Sequence, residues 1–144
     1  MREIEVGLQG VKEMRVERRH LASTLGNIGA EVLSTHSVAL LMEQSSRNAI
    51  ADCLPEGKIT VGTSISLRHF AATPLGLTVR SESRLVKVEG RKLRFQVVVR
   101  DEVEKIAEGE NEQVIVSIET FLDKVRTKKR AIRLENALQE SSFR

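Results

Sequence analysis

The chain has 144 residues, 40% of them hydrophobic. That is enough apolar material for one core at about the length of one domain, which excludes wholesale disorder and argues against a second domain. Aromatic residues are 3%, all phenylalanine, and the 23 basic and 20 acidic side chains leave a formal charge of only +3, which together argue against a stacking surface for nucleic acid and against an aromatic membrane belt.

Met1 to Glu5 lacks the apolar core of a signal peptide, and no later run approaches the roughly 20 apolar residues that span a bilayer. Val11, Met14 and Val16 fit a first strand, while Gly7 and Gly10 weaken a helix there. Glu17 to Val32 is loosely patterned and broken by Gly26 and Gly29. The clearest helix follows. Ser34 or Thr35 caps its start, and Val38, Leu41, Met42, Ser45, Ala49 and Cys53 keep helical spacing. The run Val38 to Met42 is apolar on more than one side, so this helix is covered from several directions. Leu54-Pro55-Glu56-Gly57 ends it. Cys53 is the single cysteine, which excludes an internal disulfide or a paired-cysteine metal site. The reading is a reduced, cytoplasmic protein.

The remainder reads as β. Ile59, Val61, Thr63, Ile65 and Leu67 alternate with small or polar residues. Thr73-Pro74-Leu75-Gly76 is a turn. Leu77 to Val88 is a long strand whose apolar phase shifts between Val79 and Leu85, the mark of a bulge or strong bend. Glu89-Gly90 makes a tight hairpin, Leu93 to Val99 alternates, and Asp101-Glu102 turns the chain again. Lys105 to Ile118 is the last strand, with Val114, Val116 and Ile118 on one face. A helix is expected from Glu119 onward, in a stretch where Lys124 to Arg133 carries six basic residues and no acid. That run is either a solvated tail helix or an anion site for phosphates.

Three consecutive meander connections imply an antiparallel sheet. A single helix that is apolar on several sides needs that sheet curled around it. The expected fold is therefore α+β, a hotdog: one antiparallel sheet wrapped on one long central helix. The expected organisation is one domain over residues 1–144, with its core at about 11–129 and a basic helix or tail at 119–144. A small sheet around one helix leaves edges exposed, and pairing into a homodimer or larger homo-oligomer is the usual remedy.

Three residues are candidates for chemistry. Glu43 lies mid-helix beside the apolar stripe. It is either a solvent-facing carboxylate or a desolvated one whose raised pKa suits a general acid or base. His69 follows a strand and precedes small residues, so it is either an ordinary histidine or a proton shuttle with room for a ligand. Thr35 either caps the helix or reaches a ligand at the positive end of its dipole. His36, one residue on, is placed to face the same site. No phosphate-binding loop, nucleophile elbow or metal-ligand spacing is present.

Thr35, Leu41-Met42-Glu43, Gly62-Thr63 and the stretch from His69 to Val79 (HxAATPxGLTV), followed by Val88 to Leu93 and Phe121 to Arg126, resemble the fluoroacetyl-CoA thioesterase family of hotdog proteins over roughly Leu25 to Lys129. The resemblance implies an acyl-CoA thioesterase in which Thr35, Glu43 and His69 form the catalytic constellation at a dimer interface. It also implies that Gly62 and Gln113 meet the substrate, and His36, from its place one residue past the helix start, is expected to meet it with them. Coenzyme A is then part of the substrate, with no retained cofactor and no metal. Gln113 stands where the fluoroacetyl-specific enzyme has an arginine, and Gly26 and Gly29 fall near the phenylalanines of its lid. The expectation is a more open site for a short or medium acyl-CoA. The rival reading on the same fold is a non-hydrolytic acyl-CoA-binding module.

Overall fold

The computed structural model describes residues 2–142. Chain order gives β1 (Gln9–Arg15), a 3-10 turn (Arg18–His20), α1 (Thr35–Ile50), a second 3-10 turn (Ala51–Cys53), β2 (Lys58–His69), β3 (Thr78–Glu89), β4 (Lys92–Arg100), β5 (Lys105–Ser117) and α2 (Ile118–Ser142). The strands form one antiparallel sheet in the order β1-β3-β4-β5-β2. The sheet curls around α1, as the sequence implies.

The topology differs from a continuous meander. β3, β4 and β5 follow one another through hairpins, but β2 pairs with β5 and not with β3. The connection at residues 70–77 is tied to the end of the sheet instead of closing a hairpin. Phe70 N–H donates to Ile106 O, Leu33 N–H to Thr73 O, and Gly76 N–H to Val16 O. The buried Thr73 hydroxyl donates to Asp101 Oδ2 at 2.9 Å. β2 thus becomes one edge of the sheet and β1 the other.

Ser34 is the cap of α1. Its backbone is extended (φ −74, ψ 151) and its hydroxyl accepts from Ser37 N–H at 3.0 Å. The neighbouring Thr35 hydroxyl is therefore not used in capping. α1 buries Val38, Leu41, Met42, Ala49 and Ile50 against Val79, Leu85, Leu93, Phe95, Val97 and Val99 of the sheet.

The expected phase shift between Val79 and Leu85 is absent. Val79, Ser81, Ser83 and Leu85 all point inward, and the irregularity lies further on, between Leu85 and Lys87. The two inward serines meet serines of the helix: Ser45 Oγ and Ser81 Oγ are 2.8 Å apart, Ser46 Oγ and Ser83 Oγ 2.9 Å. Small hydroxylated residues fit there because the helix lies close to the sheet. A Cβ on Gly10 of β1 would collide with Ser45 O and the backbone of Ala49.

β5 also turns a different face inward than its apolar residues suggest. Asn111 and Gln113 are buried on the inner face with Ala107 and Ile115 beside them, while Val114 and Val116 lie on the opposite one. Ile118 opens α2 and is not part of the strand. Phe121 of α2 is half-buried, and its side chains from Leu122 to Ser141 are exposed.

Candidate active site

The N-terminus of α1 and the C-terminal end of β2 meet at one point. Thr35 Oγ1 lies 3.0 Å from His69 Nδ1. Thr35 is exposed and His69 half-buried. His69 Nε2 is buried without a hydrogen-bond partner among the described residues. Burial holds the His69 pKa below its ordinary value of 6.5, opposed by a hydrogen bond to the Ala71 backbone. The imidazole is therefore neutral at pH 7, the state of a proton acceptor. The first turn adds donors. Ser34 takes the N–H groups of Ser37 and Val38, while those of Thr35 and His36 have no protein acceptor among the described residues. Unused N–H groups at a helix N-terminus suit a developing negative charge. His36 is exposed beside this point.

Glu43 sits elsewhere. It lies eight positions along α1 from Thr35, about 12 Å at 1.5 Å per residue. Its half-buried carboxylate covers Gly62: a Cβ at that glycine would stand 2.9 Å from Glu43 Oε2. Arg47 Nη1 is 3.7 Å from the same oxygen. β2 is irregular here, its register shifting between Gly62 and Ser64.

Gln113 lies behind Glu43, fully buried. Its Nε2 donates to Asn111 Oδ1 at 2.7 Å and to the Glu43 carbonyl at 3.3 Å, and its Oε1 accepts from Thr60 Oγ1 at 2.6 Å. Asn111 Nδ2 donates in turn to Ser64 O at 3.0 Å. These side chains tie the Glu43 turn of α1 to β2 on both sides of Gly62. Within one chain, then, Thr35 joins His69, and Glu43 joins Gly62 and Gln113, but the two groups do not touch. Sequence reasoning missed Thr60 and Asn111. The available signal was two amides, Asn111 and Gln113, two positions apart on one strand face. Among the described residues, no group of three or more His, Cys, Asp or Glu side chains is arranged to hold a metal ion.

No helix among the described residues is long and apolar enough to cross a membrane. Residues 16–119 match the family model for fluoroacetyl-CoA-specific thioesterase. A curated relative, the fluoroacetyl-CoA thioesterase of Streptantibioticus cattleyicolor, is 41% identical over 98 residues, covering 68% of this chain and 70% of the relative. The crystal structure of a point mutant of the fluoroacetyl-CoA-specific thioesterase superposes with a TM-score of 0.83 at 33% identity, over 89% of this chain and 99% of that one. A thioesterase-superfamily protein of Thermus thermophilus gives 0.86 at 28% identity, over 93% and 99%. With its curled sheet, its central helix and a histidine and threonine in contact at the helix start, the chain belongs to the fluoroacetyl-CoA-specific thioesterase family and is a hotdog-fold acyl-CoA thioester hydrolase.

Proposed function

We propose that this chain hydrolyses short or medium acyl-CoA thioesters in a composite site between two copies, Thr35 and His69 coming from one and Glu43 and Gly62 from the other. The observation that carries this reading is the 3.0 Å contact between Thr35 and a neutral His69, set beside a carboxylate about 12 Å away along the same helix. A second copy related by a two-fold axis places each half against its complement twice over. β2 supports this, because it is an edge strand that carries Gly62 mid-length and His69 at its end and has one side unpaired among the described residues. The β1 edge is met by α1, where Asn48 Nδ2 donates to Val11 O at 2.8 Å. Coenzyme A enters as part of the substrate; acetyl-CoA is held by a solved form of the fluoroacetyl-CoA enzyme. The buried lone Cys53 fits a reduced, cytoplasmic setting.

In this reading water attacks the thioester carbonyl carbon, and its proton passes to Glu43 or His69 as base. The carbonyl oxygen gathers negative charge at the N–H groups of Thr35 and His36. Collapse of the tetrahedral centre breaks the C–S bond, and the departing sulfur takes a proton from the protonated base. The Thr35 hydroxyl fixes the ring of His69. The same groups serve a covalent route in which Glu43 attacks first and water then cleaves the anhydride; trapping and mass measurement of an acyl-enzyme distinguishes the two. A more open acyl end is in keeping with residues 17–34, which contain none of the chain's four phenylalanines.

The test is thiol release from acyl-CoAs of increasing chain length, wild type beside His69→Ala. Turnover of short or medium esters that collapses in the variant supports the reading. Saturable acyl-CoA binding without turnover of any ester overturns it in favour of a binding module.

A further inference from the structure

A cleft of about 260 Å³ lies where the start of β2, the β3–β4 hairpin and the first turns of α2 come together. Its walls include Lys58, Arg91 and Lys124, the hydroxyls of Ser117 and Thr120, and the ring of Phe121. No acidic side chain lines it. None of the three cations has an ion-pair or hydrogen-bond partner among the described residues. Other clefts on the surface differ. The one beside Lys12, Arg15 and Arg19 includes Glu13 and Glu17, and the one beside Arg80 and Arg84 includes Glu82. In those, arginines are already paired, Arg19 with Glu17 and Arg80 with both Glu13 and Glu82.

We infer that this cleft binds the phosphate groups at the nucleotide end of the coenzyme A thioester. The inference rests on the proposed thioesterase reading. Unpaired cations converging on a cavity attract a multiply charged anion, and hydroxyls complete the hydrogen-bonding shell of phosphate oxygens. The N-terminal end of the 25-residue α2 adds its partial positive charge. Its Glu119 is in the first turn but not in the cleft wall. The placement also suits the substrate. Lys58 and Gly62 share β2, four positions or about 13 Å apart. A coenzyme A ester is extended, with thioester and phosphates at opposite ends, so its phosphates must land at a distance from the reacting carbon. The basic run of α2, of which Lys124 is the first member, thereby acquires a function at its near end.

The experiment compares wild type with the triple variant Lys58→Ala, Arg91→Ala, Lys124→Ala on two substrates sharing one acyl group, the CoA thioester and the phosphate-free pantetheine thioester. KM for the CoA ester is expected to rise at least about tenfold, with kcat and the kinetics of the pantetheine ester unchanged. Calorimetry with adenosine 3′,5′-bisphosphate is expected to show binding to wild type that weakens with salt and is lost in the variant. A variant with unchanged KM for the CoA ester, or with equal losses on both esters, overturns the inference. Loss of RNA binding with CoA affinity intact overturns it in favour of a nucleic-acid surface. Wild type that binds the bisphosphate through these cations but cleaves no thioester keeps the site and overturns the thioesterase reading instead.

Discussion

Thr35 and His69 are 34 positions apart in the chain, and their side chains lie 3.0 Å apart, the hydroxyl oxygen against Nδ1. The contact exists because Ser34, not Thr35, caps α1. His69→Ala is expected to lower kcat by about 10²- to 10⁴-fold, the usual range for a lost proton-transfer group. Thr35→Ser keeps the hydroxyl and is expected to retain most activity, while Thr35→Val is expected to lose it without a change in Tm. Steady-state kinetics with a thermal melt checks all three.

The pH profile follows from the same histidine. Burial lowers its pKa from 6.5 in the folded state, so its neutral, proton-accepting form persists to lower pH than in a free imidazole. The acid limb of kcat/KM is expected to have its midpoint below 6.5. Stability has the matching sign. Between the folded-state pKa and 6.5 the unfolded chain binds a proton that the folded chain does not, so stability rises with pH across that window and falls as pH drops through it. Denaturant melts of wild type and His69→Gln over that range measure the difference.

Gly62 is a position where a side chain would take space that Glu43 already uses. A Cβ there stands 2.9 Å from Glu43 Oε2, and the obstructing atom is the far end of a side chain, so the carboxylate moves and the fold survives. Gly62→Ala is expected to lower kcat about tenfold to a hundredfold with little change in Tm. A variant with unaltered kcat would separate the Glu43 carboxylate from the chemistry.

Gln113 is expected to act on activity through Glu43. Gln113→Leu removes the partner of Thr60 Oγ1 and of Asn111 Oδ1, which costs about 1–3 kcal/mol when buried polar atoms are left unpaired. It also removes the additional donor that Gln113 supplies to the Glu43 carbonyl inside α1. The expected result is a lower Tm with a fall in kcat larger than any change in KM. Gln113→Glu, which keeps an acceptor for Thr60 but gives up the donor to Asn111, is expected to restore neither. A loss confined to KM would instead place Gln113 against the substrate.

The helix, its cap and the strands were legible in the sequence because hydrophobic period and turn residues act over a few positions. Val38, Leu41, Met42 and Ala49 are buried as their spacing implies, and Gly90 turns the β3–β4 hairpin with positive φ. The position of β2 was not legible. Its strand pattern is the same whether it pairs with β3 or β5, and the choice is made by contacts such as Thr73 with Asp101, far apart in sequence. The buried serines misled for a related reason: Ser81 and Ser83 break an apolar alternation on paper, yet face inward because Ser45 and Ser46 wait opposite. Thr35, Glu43 and His69 were each ambiguous from residue type, and the family resemblance singled them out together. The separation of Glu43 from Thr35 follows from helix geometry once both residues are placed on α1.

The serine seam between α1 and β3 has a bearing on how acyl preference can change. Two hydroxyl pairs and the contact at Gly10 key the helix to the sheet. A slide of one turn would break both pairs and take the backbone of Ala49 away from Gly10, where the missing side chain admits it. The chemical groups therefore ride on a helix whose register is locked from the side away from β2. Residues 17–34 are anchored at their base by the bridge between buried Leu21 and Leu33, and the turn between them is held by its own backbone hydrogen bonds, Ala22 N–H to Val32 O and Ser23 N–H to Ala30 O among them. On the proposed reading, substitutions there are expected to retune which acyl group is admitted while the spacing between the helix start and the Glu43 carboxylate stays the same.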